Sequence, residues 1–330
     1  MRISWALFTT IMLFGVAAAG APKVAADEAF TAGRLAYEAY DYGQAAQLLQ
    51  RAAAAHPENG DIYLLLAQTY YESEQYDAAI GSAEKAVALN PQSSKYHEWL
   101  GRAYGEKANH ASMFSALSLA RKARREFAKA VELDERNFAA YQALIEFDCS
   151  APGIAGGGED KARVEIARVA ALDVAEGHYA AGNCRRQKKD YAAADEEFDK
   201  ALASHPDSPD LIYDIGDYAM KRGQAQRLLA VVKEGEKVAP ADPRGGLYQA
   251  VALVLAGEQH EKAEALIREY LRRAVMRNNS PRPWTAHEWL GRLYENRQEN
   301  QRAVQEYEAA LKLEPKAKVA REALKRLKKG

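Results

Sequence analysis

WTAHEWLGRLYENRQENQRAVQEYEAALKLEPKA, running from Trp284 to Ala317, is the stretch on which the reading of the fold turns. Its core phrase HEWLGR, His287 to Arg292, occurs a second time at His97 to Arg102. Working outward, Pro57 and Pro91 stand 34 residues apart, and so do Gly33, Ala67 and Gly101, then Gly182, Gly216 and Ala250. Pro206 with Pro240 and Gly223 with Gly257 keep the same period. A fixed spacing of this size marks one supersecondary unit stacked on copies of itself, each covering its neighbour's apolar face. Ala, Leu, Glu, Lys and Arg dominate, and β-branched residues are too scattered to build a sheet, so the units are helical and the class is all-α.

In the stretch quoted above, His287, Leu290, Gly291, Tyr294, Ala303, Tyr307, Ala310 and Pro315 fall on a tryptophan-leucine-glycine-tyrosine-alanine-phenylalanine-alanine-proline skeleton. Tyr63, Leu66, Ala67, Tyr70, Ala79, Ala83, Ala86 and Pro91 fall on the same skeleton near the other end of the chain. From residue 26 to 330 the chain therefore resembles the tetratricopeptide repeat family. That resemblance implies a right-handed α-solenoid of about eight helical hairpins. Units are placed near 26–59, 60–93, 94–137, 138–174, 175–208, 209–242, 243–283 and 284–317, with a cap helix over 318–330. Small residues such as Gly101 and Ala123 belong where the helices of a hairpin cross, and large ones such as Tyr104 and Phe127 fill the space between hairpins. The proline near each unit's end stops the second helix.

Three units exceed the period, and such departures map to loops on one face. In unit three the excess is ten residues, around Asn109 to Leu119, which shared between two antiparallel arms predicts a hairpin raised by about 7 Å at roughly 1.5 Å per residue, with Met113 and Phe114 near its tip. Unit four carries the glycine-rich insert Ala151 to Gly158, expected beside the raised hairpin. Two readings stand: Met113, Phe114, Pro152 and Ile154 form a ridge for a partner, or they pack on one another. The insert lacks the GxxxxGK[ST] pattern of a phosphate loop, since Gly158 is followed by Glu159, Asp160, Lys161 and Ala162. Unit seven ends in MRNNSPRP, Met276 to Pro283, a loop by composition and a candidate hinge.

Arg2, the apolar run Ile3 to Val16 and the small residues Ala17 to Ala21 have the three parts of an export signal, with cleavage after Ala19 or Ala26. An uncleaved membrane anchor is the alternative. The expected location is thus periplasmic or secreted. Only Cys149 and Cys184 remain to the exported chain. Packed helix axes stand about 8–10 Å apart, wider than the roughly 7 Å limit for bridged Cα atoms, so two free thiols are expected over a disulfide.

No catalytic, cofactor-binding or metal-binding residue is expected. The seven histidines show neither HxxxH nor HExxH spacing, and His97 and His287 occupy one skeleton position in two units. A net charge of -1 lacks the positive excess that nucleic-acid binding requires. The basic run Arg121, Lys122, Arg124 and Arg125 reads as a solvated helix face. The resemblance implies a groove lined by the first helix of each unit at its second, fifth, ninth, twelfth and thirteenth positions. These are Phe30, Arg34, Tyr37, Gln68, Tyr71, Arg102, Tyr179, Asn183, Arg186, Tyr213, Asp217, Arg292 and Glu295. Arg and Tyr are enriched at binding hot spots, though Tyr here would equally serve packing between repeats. The lysine-asparagine clamp of the chaperone-tail-binding members is missing, since the fifth and ninth positions of unit one are Phe30 and Arg34. Protein or peptide partners follow, either for a cell-envelope scaffold holding an extended segment or for an accessory or anchoring subunit of an envelope enzyme complex.

Overall fold

A computed structural model describes residues 21–273 and 280–328. Residues 1–20 of the expected export signal fall outside the described residues, as does the first half of the loop of unit seven, 276–279. The helices alternate as hairpin arms: α1 (Ala21–Glu38) with α2 (Tyr42–Ala55), α3 (Gly60–Glu72) with α4 (Tyr76–Leu89), and α5 (Ser94–Asn109) with α6 (Met113–Leu133). Next come α7 (Phe138–Ser150) with α8 (Glu159–Leu172), α9 (Val174–Gln187) with α10 (Tyr191–Ala203), and α11 (Pro209–Arg222) with α12 (Ala225–Val238). Then α13 (Pro243–Ala256) pairs with α14 (His260–Arg273) and α15 (Pro283–Asn296) with α16 (Asn300–Leu313), and α17 (Lys318–Leu327) closes the array. The described residues hold no strand. Each helix packs on the next or next-but-one helix, as a solenoid requires.

The close crossing inside a hairpin depends on glycine. A Cβ on Gly101, Gly182 or Gly291 would stand 2.6 Å from the ring of Phe127, Phe198 or Tyr307, so the ring of the second helix lies directly on the backbone of the first. These three crossings are backed by a histidine on the first helix and a glutamate on the second. Nδ1 and Oε2 are 2.7 Å apart in His97–Glu126, His178–Glu197 and His287–Glu306. The turn inside the hairpin repeats as well. Tyr40, Glu74, Lys189, Gly223, Gly257 and Gln298 all take left-handed backbone there, and only two of these are the glycine that this conformation favours.

Units three and four depart from this plan. The extra length of unit three is not shared evenly: α5 has 16 residues and α6 has 21, against the 14 common elsewhere, because the turn falls at His110 to Ser112. Between α7 and α8 the glycine-rich insert forms a short 3-10 turn at Gly153–Ala155 and packs on α6. Arg121 donates to the Ile154 carbonyl oxygen at 2.9 Å. The Arg124 guanidinium clasps Asp148, fully buried on α7, at 2.8 and 3.0 Å. Lys122 lies over the Tyr104 ring. Arg121, Lys122 and Arg125 are exposed, as expected of a solvated basic face, whereas Arg124 turns inward to Asp148; Arg121 also reaches the insert, because α6 extends far enough to meet it.

The expectation of free thiols is also overturned. Cys149 and Cys184 form a disulfide across α7 and α9, with Cα atoms 5.6 Å apart. Successive first helices approach more closely at this point than a general axis separation suggests, and both residues face the contact, inside the usual range for a bridge.

Two measurements test this packing. Gly291→Ala should destabilise the final hairpin by about 1–3 kcal/mol, as overpacking against a fixed ring does, visible as a lower urea midpoint. The Cys149→Ser/Cys184→Ser variant should lose roughly 2–4 kcal/mol by release of a 35-residue loop constraint. The wild type in reductant should match that variant's thermal midpoint.

Candidate functional site

The raised hairpin, α7 and the glycine-rich insert enclose an open hollow of about 960 Å³. Its rim is Met113, Phe114, Pro152 and Ile154, and its wall includes Leu117, Phe127 and Phe147. Met113 is 83 % exposed, Phe114 90 % and Ile154 68 %, so the rim residues do not pack one another away from solvent. Exposed apolar side chains gathered around a concavity with a polar floor are the usual make-up of a recognition surface.

The floor is supplied by the first helices. Tyr71 of α3 donates from its hydroxyl to Glu106 at 3.4 Å and meets Trp99 edge-on at 5.6 Å. Arg102 of α5 donates to Glu98 at 2.8 Å and lies 5.6 Å from the Trp99 ring. Burial works against the Arg102 charge, but Glu98, backed by Tyr71 and Glu146, holds its pKa above the ordinary guanidinium value. Glu146 of α7 sits between Arg102 and Arg186, 3.6 Å from the latter, and burial raises its pKa against both cations. The hollow can therefore offer a partner an apolar ledge and, beneath it, a row of alternating charge.

Among the residues expected to line the groove, Tyr71 and Arg102 reach the hollow, as do all four rim residues, and Arg186 joins through Glu146. Asn183 and Tyr179 on α9 lie outside the hollow: Asn183 is buried and Tyr179 packs on the core against Phe198. Tyr179 donates to Asp214 at 3.0 Å. Asn183 is 1 % exposed, and its carboxamide finds no hydrogen-bond partner of good geometry, although it lies near enough to restrain the rise of the Tyr179 pKa. Tyr213 leaves the set. Its ring is buried against Gly235, stacked obliquely on Tyr248 and covered by the Arg244 guanidinium, a packing role. Arg292 lies far along the array over Trp289, in a smaller hollow that also includes Glu295. Asp217 accepts from the Tyr248 hydroxyl at 2.8 Å. At the other end Phe30 and Tyr37 pack on the first core cluster, Arg34 faces Glu38 at 3.9 Å, and Gln68 is half-buried.

Glu146 is the residue that the sequence reading missed, although a signal was present. It is the ninth residue of unit four, the same register that marks Arg102 and Asn183. Two further carboxyls, Glu176 and Asp214, were hidden because their character comes from burial. Burial, opposed in part by hydrogen bonds from Gln142 and Tyr179, lifts Glu176 to about 7 and Asp214 to about 6. A carboxyl whose folded pKa is raised stabilises the fold while it is protonated, and that contribution disappears as pH rises through the folded value. The thermal midpoint should therefore fall between pH 5 and pH 8, each tenfold difference in proton affinity between folded and unfolded chain being worth about 1.4 kcal/mol. In the Glu176→Gln/Asp214→Asn variant this slope should be largely flattened, as differential scanning calorimetry at stepped pH would register.

Scans against family models match the tetratricopeptide repeat at residues 36–103, 175–208 and 248–318, together just over half of the chain. Among curated proteins no match is found. Similar solved structures include a thermophilic tetratricopeptide protein from Thermus thermophilus, 18% identical over 70% of this chain and 100% of that one, with a TM-score of 0.46. MamA is 22% identical over 52% of this chain and 93% of its own, at a TM-score of 0.40. A tetratricopeptide protein from Parabacteroides merdae is 13% identical over 92% and 99%, at 0.41. With its hairpins closed by one repeated crossing and three segments matching the family's own models, the chain belongs to the tetratricopeptide repeat family.

Proposed function

We propose that this protein is an interaction scaffold of the cell envelope that holds an extended segment of a partner protein in the hollow of units three and four. Proteins of this fold typically bind proteins or peptides and are generally not enzymes. The observation that carries the assignment to this hollow is its rim. Met113, Phe114 and Ile154 project into solvent around a cavity large enough for several side chains, above the charged row Arg102, Glu146 and Arg186. An apolar anchor would seat against Phe114 and Phe147, while the charges fix the register of the segment, the division of labour expected at a hot spot. Location in the envelope is supported by the sequence of the N-terminus and by the Cys149–Cys184 disulfide, since such bonds persist in oxidising compartments.

A photo-crosslinking residue at Phe114, introduced in cells that express the full chain, should capture one or a few envelope proteins. The same residue at Leu229, an exposed apolar position on α12, should not. Met113→Ser/Phe114→Ser should abolish recovery of those proteins while leaving the thermal midpoint within about 1 °C, since neither side chain is buried. Equal capture from both positions, or none from either, would refute the reading.

A further inference from the structure

Among the described residues, Arg282 breaks the neighbour-only rule of the array. Arg282, just before α15, reaches across 210 residues of sequence to the start of the array, where its guanidinium lies 3.3 Å from the Glu72 carboxylate. Its Cζ stands 4.0 Å from the centre of the Tyr40 ring. Tyr42 closes another side: its ring lies 6.0 Å from that of Tyr40 and 5.8 Å from that of Tyr37, and its hydroxyl donates to the same Glu72 oxygen at 3.4 Å. The Tyr40 ring face and the Glu72 carboxylate hold a planar cation, because the ring face is electron-rich and the carboxylate matches the guanidinium's charge, and Tyr42 and Tyr37 buttress them from behind.

Tyr40 occupies a turn position where the backbone is left-handed, φ 60°, and where units six and seven place Gly223 and Gly257. A bulky side chain is costly there, yet its ring forms the wall under the guanidinium. The occupant has a shape of its own. Arg282 lies between Pro281 and Pro283 at φ -66° and ψ 149°, the polyproline II conformation, and the Pro281 carbonyl oxygen accepts from the buried Tyr270 hydroxyl. Polyproline II segments are preordered and are commonly read by aromatic surfaces. Arg282 and Glu72 both keep contact with solvent, with side-chain exposures of 33% and 18%, so a solvated ion pair and a cation–π contact hold the guanidinium in place. Contacts of both kinds are individually weak.

We propose that Tyr37, Tyr40, Tyr42 and Glu72 form a binding site for the arginine of a proline-flanked segment in a partner protein, and that the chain's own Ser280 to Pro283 occupies it until such a partner displaces it. The internal segment competes through proximity, so a partner must exceed its effective concentration as well as its contacts. Displacement would free the last hairpin from the first, which joins partner binding to the curvature of the array.

The probe is a fluorescent synthetic peptide of sequence Ser-Pro-Arg-Pro-Trp, residues 280–284, titrated into the full chain and followed by anisotropy. Arg282→Ala, whose fold is checked by circular dichroism, should bind the probe at least ten-fold more tightly than wild type. Adding Glu72→Gln or Tyr40→Ala to that variant should remove the gain, and a probe with alanine in place of arginine should bind neither form. Met113→Ser/Phe114→Ser in the Arg282→Ala background should leave probe affinity unchanged, which separates this site from the hollow of units three and four. Equal affinity for wild type and Arg282→Ala, no binding to either, or binding indifferent to Glu72 and to the probe's arginine would each overturn the proposal and leave Arg282 a fixed clasp.

Discussion

A bare backbone on one helix and a large ring on its partner set the terms for the rest of this molecule. At Gly101, Gly182 and Gly291 there is no space for even a methyl group beside Phe127, Phe198 and Tyr307. At Gly33 the same role falls to Leu49, whose Cγ would lie 2.8 Å from an added Cβ. Helices that meet this closely bury most of each other and leave one apolar face per hairpin, which only the next hairpin can cover. The array and its nearest-neighbour packing both follow from that geometry.

The features that distinguish this chain arise where the plan is stretched. Lengthening α6 without lengthening α5 equally carries Met113 and Phe114 past the height at which the adjacent hairpin could cover them. An unsupported extension of this kind would fray, and the structure supplies three restraints beside it. Arg124 satisfies the buried Asp148, Arg121 ties down the insert through Ile154, and the disulfide joins α7 to α9 directly behind. Asp148 without Arg124 would be an uncompensated buried charge, a far larger penalty than the net gain of the pair itself. The rim is therefore flexible in chemistry but fixed in position, as a recognition surface must be to avoid ordering costs on binding.

How much of this was legible in the sequence depends on whether a property repeats. The crossings, the helix class and the position of the raised tip could be read because Gly291, Tyr307 and their counterparts recur at fixed offsets and because an excess over a period is itself a signal. The pairing of Cys149 with Cys184 was missed, since it depends on how closely α7 and α9 approach at one level, which no repeat encodes. Tyr213 and Tyr179 share the fifth position of their units, yet one is covered by Arg244 and the other packs on Phe198 and donates to Asp214, because neighbouring side chains and not register decide what each ring meets. Arg282 and Tyr40 stand 242 positions apart in the numbering, and no local pattern joins them.

The ninth position of each first helix shows why overall charge was a poor guide to the groove. Along the array it reads Arg34, Gln68, Arg102, Glu146, Asn183, Asp217, Val251 and Arg292. Cations sit toward the ends and carboxylates in the middle, within a chain whose net charge is -1. Where the two signs adjoin, Glu146 lies 3.6 Å from Arg186 and within electrostatic reach of Arg102; burial raises its pKa, and the two cations oppose that rise. A partner strand laid along this row would meet one sign and then the other, and shifting it by one unit would set like charges opposite each other. Such a pattern selects register and partner more than it adds affinity, because misplaced charge is penalised more heavily than matched charge is rewarded. The apolar rim can then supply binding strength without needing to supply specificity.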